Sequence, residues 1–185
     1  MGKIFPFVIV LIIFLFAFTG VSATYVAGTS AGFNYTTFET KETKKNNDLS
    51  VKRLVIKKVL EKYNSPLVGD TDAFITTCYK YDLDCYLLPS IAGIESTFGK
   101  FILPGSYNPF GWGVGRIMFK SYSEGIETVG KGLKENYIDK GAKTIEEIGK
   151  TYCEGNTWAG KVRFFMNEFV KEENQLILKS NTVSL

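Results

Sequence analysis

From Leu49 to about Gln175 the apolar residues recur at helical spacing and sort into a succession of short amphipathic segments. Val51, Val55 and Val59 with Ile56, Leu60 and Tyr63 form one stripe, which Asn64-Ser65-Pro66 ends. Asp70 stands where an N-cap would open a second helix, whose face carries Phe74, Ile75, Cys78 and Tyr79. Leu88-Pro89 opens a third, since proline suits the first helical turn; its stripe is Ile91, Ile94, Glu95 and Phe98, and Gly99 is its stop. The period then lapses over residues 100–120, which hold Gly105, Gly111, Gly113 and Gly115. Ser121 with Glu124, and Thr144 with Glu147, have capping-box spacing. The first box opens a helix with Ile126, Val129, Leu133 and Tyr137 on one face, and the second a helix that buries Ile145, Ile148 and Tyr152. A last helix shows Val162, Phe165, Met166 and Phe169. No segment alternates as a strand, although the glycine-rich segment has room for a short hairpin. The expected fold is mainly α: one compact helical domain over residues 49–175, followed by a tail over 176–185.

The residues before Leu49 differ in kind. Residues 24–48 are rich in Thr, Ser, Gly, Asn and Lys, have no sustained period, and read as a linker. Asn34-Tyr35-Thr36 matches a glycosylation sequon, which in so polar a stretch is expected by chance. Residues 1–23 combine a basic start at Lys3, an almost wholly apolar run from Ile4 to Phe18, and small residues at Val21 and Ala23. That is the order of a secretory signal peptide, with the mature chain starting at Thr24. The run is short for a bilayer, which needs ~20 apolar residues. The competing reading is an uncleaved anchor. A secreted or cell-envelope location is expected on the first reading and a membrane-anchored one on the second.

Composition narrows the chemistry. The chain has no histidine, which excludes Ser-His-Asp and Cys-His catalysis and every His-ligated zinc site. A net charge of +3, with no basic run interleaved with aromatics, gives no case for nucleic acid. Export permits disulfides. Cys78, Cys85 and Cys153 are an odd set, so one pair and one free thiol is the simplest reading. Cys78–Cys85 would close a small loop ahead of the Glu95 helix. Cys85–Cys153 would instead tie that helix to the one bearing Tyr152.

Glu95 is the anomalous carboxylate. It lies four residues after Ile91 and three before Phe98, on the stripe expected to face the core. Burial there would disfavour its charge and suit it to act as a general acid. The bland alternative is a buried glutamate satisfied by a structural partner. The other carboxylates have ordinary roles: Glu124 and Glu147 as caps, Asp70 and Asp72 at a helix start, Glu127 beside Lys131 and Lys134, and Glu168, Glu172 and Glu173 on an exposed charged face. In Asn108-Pro109-Phe110-Gly111-Trp112-Gly113, the glycines let backbone approach a ligand, Asn108 can hydrogen-bond an acetamido group, and Trp112 can stack on a sugar or else plug the core.

Taken together these residues resemble the lysozyme-like superfamily. Residues 88–100, LPSIAGIESTFGK, resemble its "IA..ES.FG" stretch; in soluble lytic transglycosylases and bacterial endo-β-N-acetylglucosaminidases the Glu of that pair is the catalytic acid. Asn108-Pro109-Phe110-Gly111 is similar to the "N-x-F-G" of the glucosaminidases, and residues 119–137 resemble their following helix. Tyr152 and Trp158 look like the "Y......W" element of both groups. The resemblance implies an α+β lysozyme-like variant of the helical fold, with Glu95 and Tyr152 catalytic and Ser96, Asn108, Phe110, Trp112 and Trp158 at the substrate. Two departures stand out. The segment after Gly111 is too short for the long hairpin lobe of the glucosaminidases, and the Gly-Leu-Met-Gln stretch of the soluble transglycosylases is missing.

The implied activity is cleavage of β-1,4 bonds in peptidoglycan or another amino-sugar polymer by a monomer, with no metal or organic cofactor required. Glu95 would protonate the leaving glycosidic oxygen. The N-acetyl group of the substrate, its 6-hydroxyl, or water would then complete the reaction. The alternatives are a non-catalytic glycan-binding module and a membrane-anchored structural surface protein.

Overall fold

The computed structural model describes residues 41–152 and 157–183. The expected signal peptide, the linker up to residue 40, the Asn34 sequon and Cys153 lie outside the described residues. Among these, six α-helices follow in order: α1 (Lys41–Lys62), α2 (Thr71–Tyr81), α3 (Leu87–Ser96), α4 (Tyr122–Leu133), α5 (Ile145–Tyr152) and α6 (Trp158–Val183). A 3-10 turn over Pro66–Asp70 leads into α2, and a π-helical turn over Lys134–Ile138 prolongs α4. The described residues contain no strand, so the fold is mainly α. None of their helices is long and apolar enough to cross a membrane.

The helical region extends past both expected limits. α1 begins at Lys41, inside the expected linker, and α6 continues to Val183, through the expected tail. Apolar periodicity registers only turns that bury something. The first turns of α1 hold Lys, Glu, Thr and Asn on exposed positions, and the last turns of α6 are also largely exposed. Lysine and glutamate sustain a helix by propensity without leaving an apolar trace.

α3 is the centre of the molecule. Every residue from Leu87 to Gly93 is buried, with Leu88, Ile91 and Ala92 at or near zero exposure. A helix apolar all round must have neighbours all round. α6 and α2 pack against α3, α1 lies on α2 and α6, and α4 closes on α2. That last approach is close: a Cβ on Gly130 would collide with Thr77 Cγ2. The chain enters α3 through a bend in which Asp82 takes a left-handed φ of 52° and Asp84 Oδ1 accepts from Tyr86 N at 2.8 Å. Cys78 and Cys85, with Cα atoms 4.9 Å apart, are joined by a disulfide across this bend. A loop of this size is worth about 2–3 kcal/mol in the chain-entropy view.

Several local expectations need correction. Asp70 does not cap α2; its carboxylate accepts from Ser123 Oγ at 2.6 Å, and Ser65 caps the preceding 3-10 turn instead. Tyr79 points outward and is exposed. Glu127 pairs with Lys80 across the α2–α4 contact, not with Lys131 or Lys134, and Lys80 holds its carboxyl below the usual range. Ser121 Oγ accepts from Glu124 N and Thr144 Oγ1 from Glu147 N; Glu147 completes its box at Thr144 N, whereas Glu124 reaches one residue further, to Lys120 N.

Glu168, Glu172 and Glu173 do not make a free solvent face. They line the seam between α6 and α1, pairing with Lys62 at 3.1 Å, Lys58 at 3.2 Å and Lys52 at 3.4 Å. Tyr63 donates its hydroxyl to Glu168 as well. Burial first, and then Glu168, push the Tyr63 hydroxyl up from 10.0 to about 12. Partial burial works against the charge of Glu168, but Tyr63 and Lys62 outweigh it and hold the carboxyl below its ordinary 4.5.

The seam therefore gives stability a pH window. Below 4.5 the unfolded chain binds a proton that folded Glu168 resists, and stability falls as pH drops through the lowered value. Above 10.0 the unfolded chain releases a proton that folded Tyr63 retains, and stability falls until about 12. Thermal unfolding across pH should show both limbs. Tyr63→Phe should flatten the alkaline limb, leaving the part due to Tyr86 and Tyr137, which burial also pushes up. An unchanged alkaline limb in that variant would mean the Tyr63–Glu168 contact is not made in solution.

Candidate active site

Glu95 is the one exposed residue of α3. This corrects the expectation that it is buried on the core face, because a helix surrounded on all sides has no core face to distinguish. What singles Glu95 out is its position. It stands in the last turn, where the helix dipole disfavours a negative charge, at the one exposed position of α3, beside the partly buried Ile94. Its compensating partner is Trp158, whose indole N–H donates to Glu95 Oε1 at 2.9 Å. On the other side is Gly111, at φ 63°, where a Cβ would lie 3.4 Å from Glu95 Oε2.

The end of α3 is shaped by three successive left-handed residues, Thr97, Phe98 and Gly99, with φ of 51°, 57° and 83°. The expected stop at Gly99 is thus spread over three positions. The reversal buries Phe98 completely and turns the chain away beneath Glu95. Ser96 fastens it. Its buried hydroxyl lies 2.7 Å from the Pro109 carbonyl and 3.0 Å from that of Ala92, and accepts from Gly99 N at 2.8 Å. Ser96 therefore ties the Glu95 turn to the following loop and does not face a ligand.

Asn108 is engaged in the same way. It is buried; its amide nitrogen donates to the carbonyls of Trp112 at 2.8 Å and Ile117 at 3.2 Å, and its oxygen accepts from Trp112 N at 3.1 Å. These bonds make it a brace inside the loop, with both ends of its amide occupied. Phe110 is wholly buried in the core, and its contribution at the surface is its backbone carbonyl, which accepts from the Tyr152 hydroxyl at 2.8 Å. No hairpin forms here. Tyr107, Gly111, Gly113, Val114 and Gly115 all have positive φ, which no continuous ladder tolerates.

The aromatic residues meet beside Glu95. Tyr152 stacks on Trp158 with centroids 4.8 Å apart, and Trp112 lies 5.8 Å from Tyr152 and 6.5 Å from Tyr137. Trp112, Tyr137 and Tyr152, with Gly111, Gly113 and Val114, line an open groove of about 300 Å³. Trp158 is buried and reaches the site through its N–H, whereas Trp112 and Tyr152 are partly exposed and can offer ring surface. Tyr137, on the π-helical turn, packs in part against the core as its sequence position suggested and also lines the groove.

Helical glycines make room for these rings. A Cβ on Gly132 of α4 would lie 2.6 Å from Trp112 Cζ2, and one on Gly149 of α5 would lie 2.9 Å from Trp158 Cε3. Sequence reasoning passed over both. Their signal was available: glycine inside a helix costs about 1 kcal/mol against alanine, so its presence there calls for a packing reason. The two effects make opposite predictions for Gly149→Ala. Propensity alone would stabilise α5 by about 1 kcal/mol, whereas overpacking against the indole would cost about 1–3 kcal/mol. Overpacking should win, with a lower midpoint in denaturant unfolding and an altered near-ultraviolet circular dichroism band from Trp158. A higher midpoint with an unchanged band would show that the ring is not held against Gly149.

No protein-family model matches this sequence, and no curated protein matches it significantly.

Proposed function

We propose that this chain is a glycosidase of the lysozyme-like kind, cleaving β-1,4 bonds in peptidoglycan or a related N-acetylglucosamine-containing glycan, with Glu95 as the general acid. The observation that carries the reading is a carboxylate at the exposed end of a buried helix, held by an indole N–H, beside a groove walled by Trp112, Tyr137 and Tyr152. A pyranose presents flat apolar faces and a rim of hydroxyls, and partly exposed rings beside a hydrogen-bonding group suit it. Gly111 keeps backbone low next to Glu95 Oε2, so a glycosidic oxygen can approach it.

In this reading Trp158 fixes Oε1, and Oε2 delivers the proton as the glycosidic bond lengthens toward an oxocarbenium-like state. Tyr152, anchored to the Phe110 carbonyl and stacked on Trp158, is the ring nearest the reacting sugar. Among the described residues, three other carboxylates are engaged elsewhere: Glu124 and Glu147 cap helices, and Asp70 binds Ser123. The fate of the cation, whether taken by the N-acetyl group, the 6-hydroxyl or water, is read from the fragments. Mass spectrometry after digestion of purified peptidoglycan identifies the end sugar and any anhydro product.

Glu95→Gln should keep the fold and lower cleavage by ~10²–10⁴-fold, the usual contribution of a general acid. Trp158→Phe should retain the stack on Tyr152 and lose roughly tenfold, the effect of one hydrogen bond to a charged group at about 1.5 kcal/mol. Glu124→Gln should leave turnover within a small factor. Wild-type protein that binds peptidoglycan without releasing fragments would replace this reading with a glycan-binding module. Equal losses in the Glu95 and Glu124 variants, with both folded, would end the single-acid assignment.

A further inference from the structure

The segment between α3 and α4 has a buried root and an apolar rim. Phe110 and Phe119 anchor it in the core, while Phe101 is 75% exposed, Leu103 53%, Met118 56% and Val114 90%. Its two limbs form one lobe: Phe119 N donates to Ser106 O at 2.8 Å, and Met118 Cε lies 3.9 Å from where a Cβ on Gly105 would stand. Tight turns present the tips. Ser106 N donates to Leu103 O at 2.9 Å, and Gly115 N to Gly111 O at 2.8 Å. Val114, at the crest of the second turn, is a β-branched residue at φ 58°, a conformation it rarely adopts, with almost its whole side chain in water.

The lobe's own charges are positive, with the carboxylates of Glu124 and Glu95 from neighbouring helices lying against it at Lys120 N and Gly111. Residues 100–120 include Lys100, Arg116 and Lys120 and no acidic residue. All three cations are exposed, and none is in an ion pair with a described acid. Exposed aliphatic tips and exposed cations in one segment are the two complements of an anionic bilayer surface, which offers acyl chain to the first and headgroup charge to the second. A sugar polymer is a poorer match, because Leu103, Val114 and Met118 offer neither a flat ring nor a hydrogen-bonding group to a pyranose.

We propose that this lobe docks the domain on an anionic lipid surface, with the side chains of Leu103, Val114 and Met118 entering the headgroup boundary and Lys100, Arg116 and Lys120 lying along it. The groove beside Glu95 shares Val114 with the lobe, so docking would hold the groove at the height of the headgroups. The proposal does not depend on Glu95 being catalytic.

The test uses the full chain with a reporter at one of two places: Val114→Trp at the lobe, or Phe164→Trp on α6, where the native residue is also exposed. Each is mixed with phosphatidylglycerol–phosphatidylcholine vesicles with or without brominated acyl chains, which quench an indole only on contact. Any lipid contact made by the N-terminal apolar run is common to both chains and cancels in the comparison. The Val114→Trp emission should be lost to brominated anionic vesicles, should be spared by phosphatidylcholine alone, and should recover when Lys100, Arg116 and Lys120 are changed to Gln. Leu103→Ser/Met118→Ser in the Val114→Trp chain should also restore it. Equal quenching at both reporters, no quenching at Val114→Trp, or quenching indifferent to the three cations would overturn the proposal. A Val114→Trp response to soluble peptidoglycan fragments but not to vesicles would reassign the lobe to glycan.

Discussion

A helix that is buried on every side can offer chemistry only at its end. α3 is such a helix, and its position constrains the rest of the domain. α6 and α2 exist as its walls, the disulfide-closed bend sets the angle at which it enters, and the left-handed reversal at Thr97–Gly99 sets where it stops. Glu95 reaches water because it occupies the last turn before that stop. The loop that follows is then folded back against the same turn by Ser96 and braced internally by Asn108. Polar residues that look like ligand contacts in a linear motif thus become the fasteners that keep a carboxylate, a glycine and three aromatic rings in one place.

The helices were legible from the sequence because several of them are amphipathic, and α4 and α5 also open with a recognisable cap. α4 and α5 begin where Ser121 and Thr144 pair with Glu124 and Glu147, and their apolar faces follow at the expected spacing. The extra turns at Lys41 were illegible, since a solvated turn leaves no apolar mark; beyond Gln175 the apolar residues Leu176, Ile177 and Leu178 are consecutive and carry no helical period. Glu95 was noticed for an incomplete reason: its spacing placed it on a stripe, but in a wholly buried helix the stripe does not define a face. Ser96, Asn108 and Phe110 lie at the right place in the chain, yet their side chains turn inward, and a motif does not record which way a side chain points.

Helical glycines carry the complementary information. At Gly132 and Gly149 the groove is shaped by atoms that are missing, and the indole rings occupy the space a methyl group would fill. These positions accept a local loss of helix propensity so that Trp112 and Trp158 can lie close to α4 and α5. The aromatic wall beside Glu95 is therefore specified in two distant stretches of chain, once by the rings and once by the glycines beneath them.

The row of lysines on α1 and glutamates on α6 adds little to stability, since partly exposed pairs contribute only ~0–1 kcal/mol each. Its larger effect is as a vernier. Trp158 is the first residue of α6, so the axial position of that helix sets where the indole N–H meets Glu95. Sliding α6 by one turn, about 5.4 Å, would bring Lys58 opposite Leu176 in one direction or Lys62 opposite Phe164 in the other. Either shift sets one ammonium against an apolar side chain while the other keeps a glutamate, Lys62 with Glu172 or Lys58 with Glu168. A surface charge pattern thereby favours one height for the donor that holds the carboxylate.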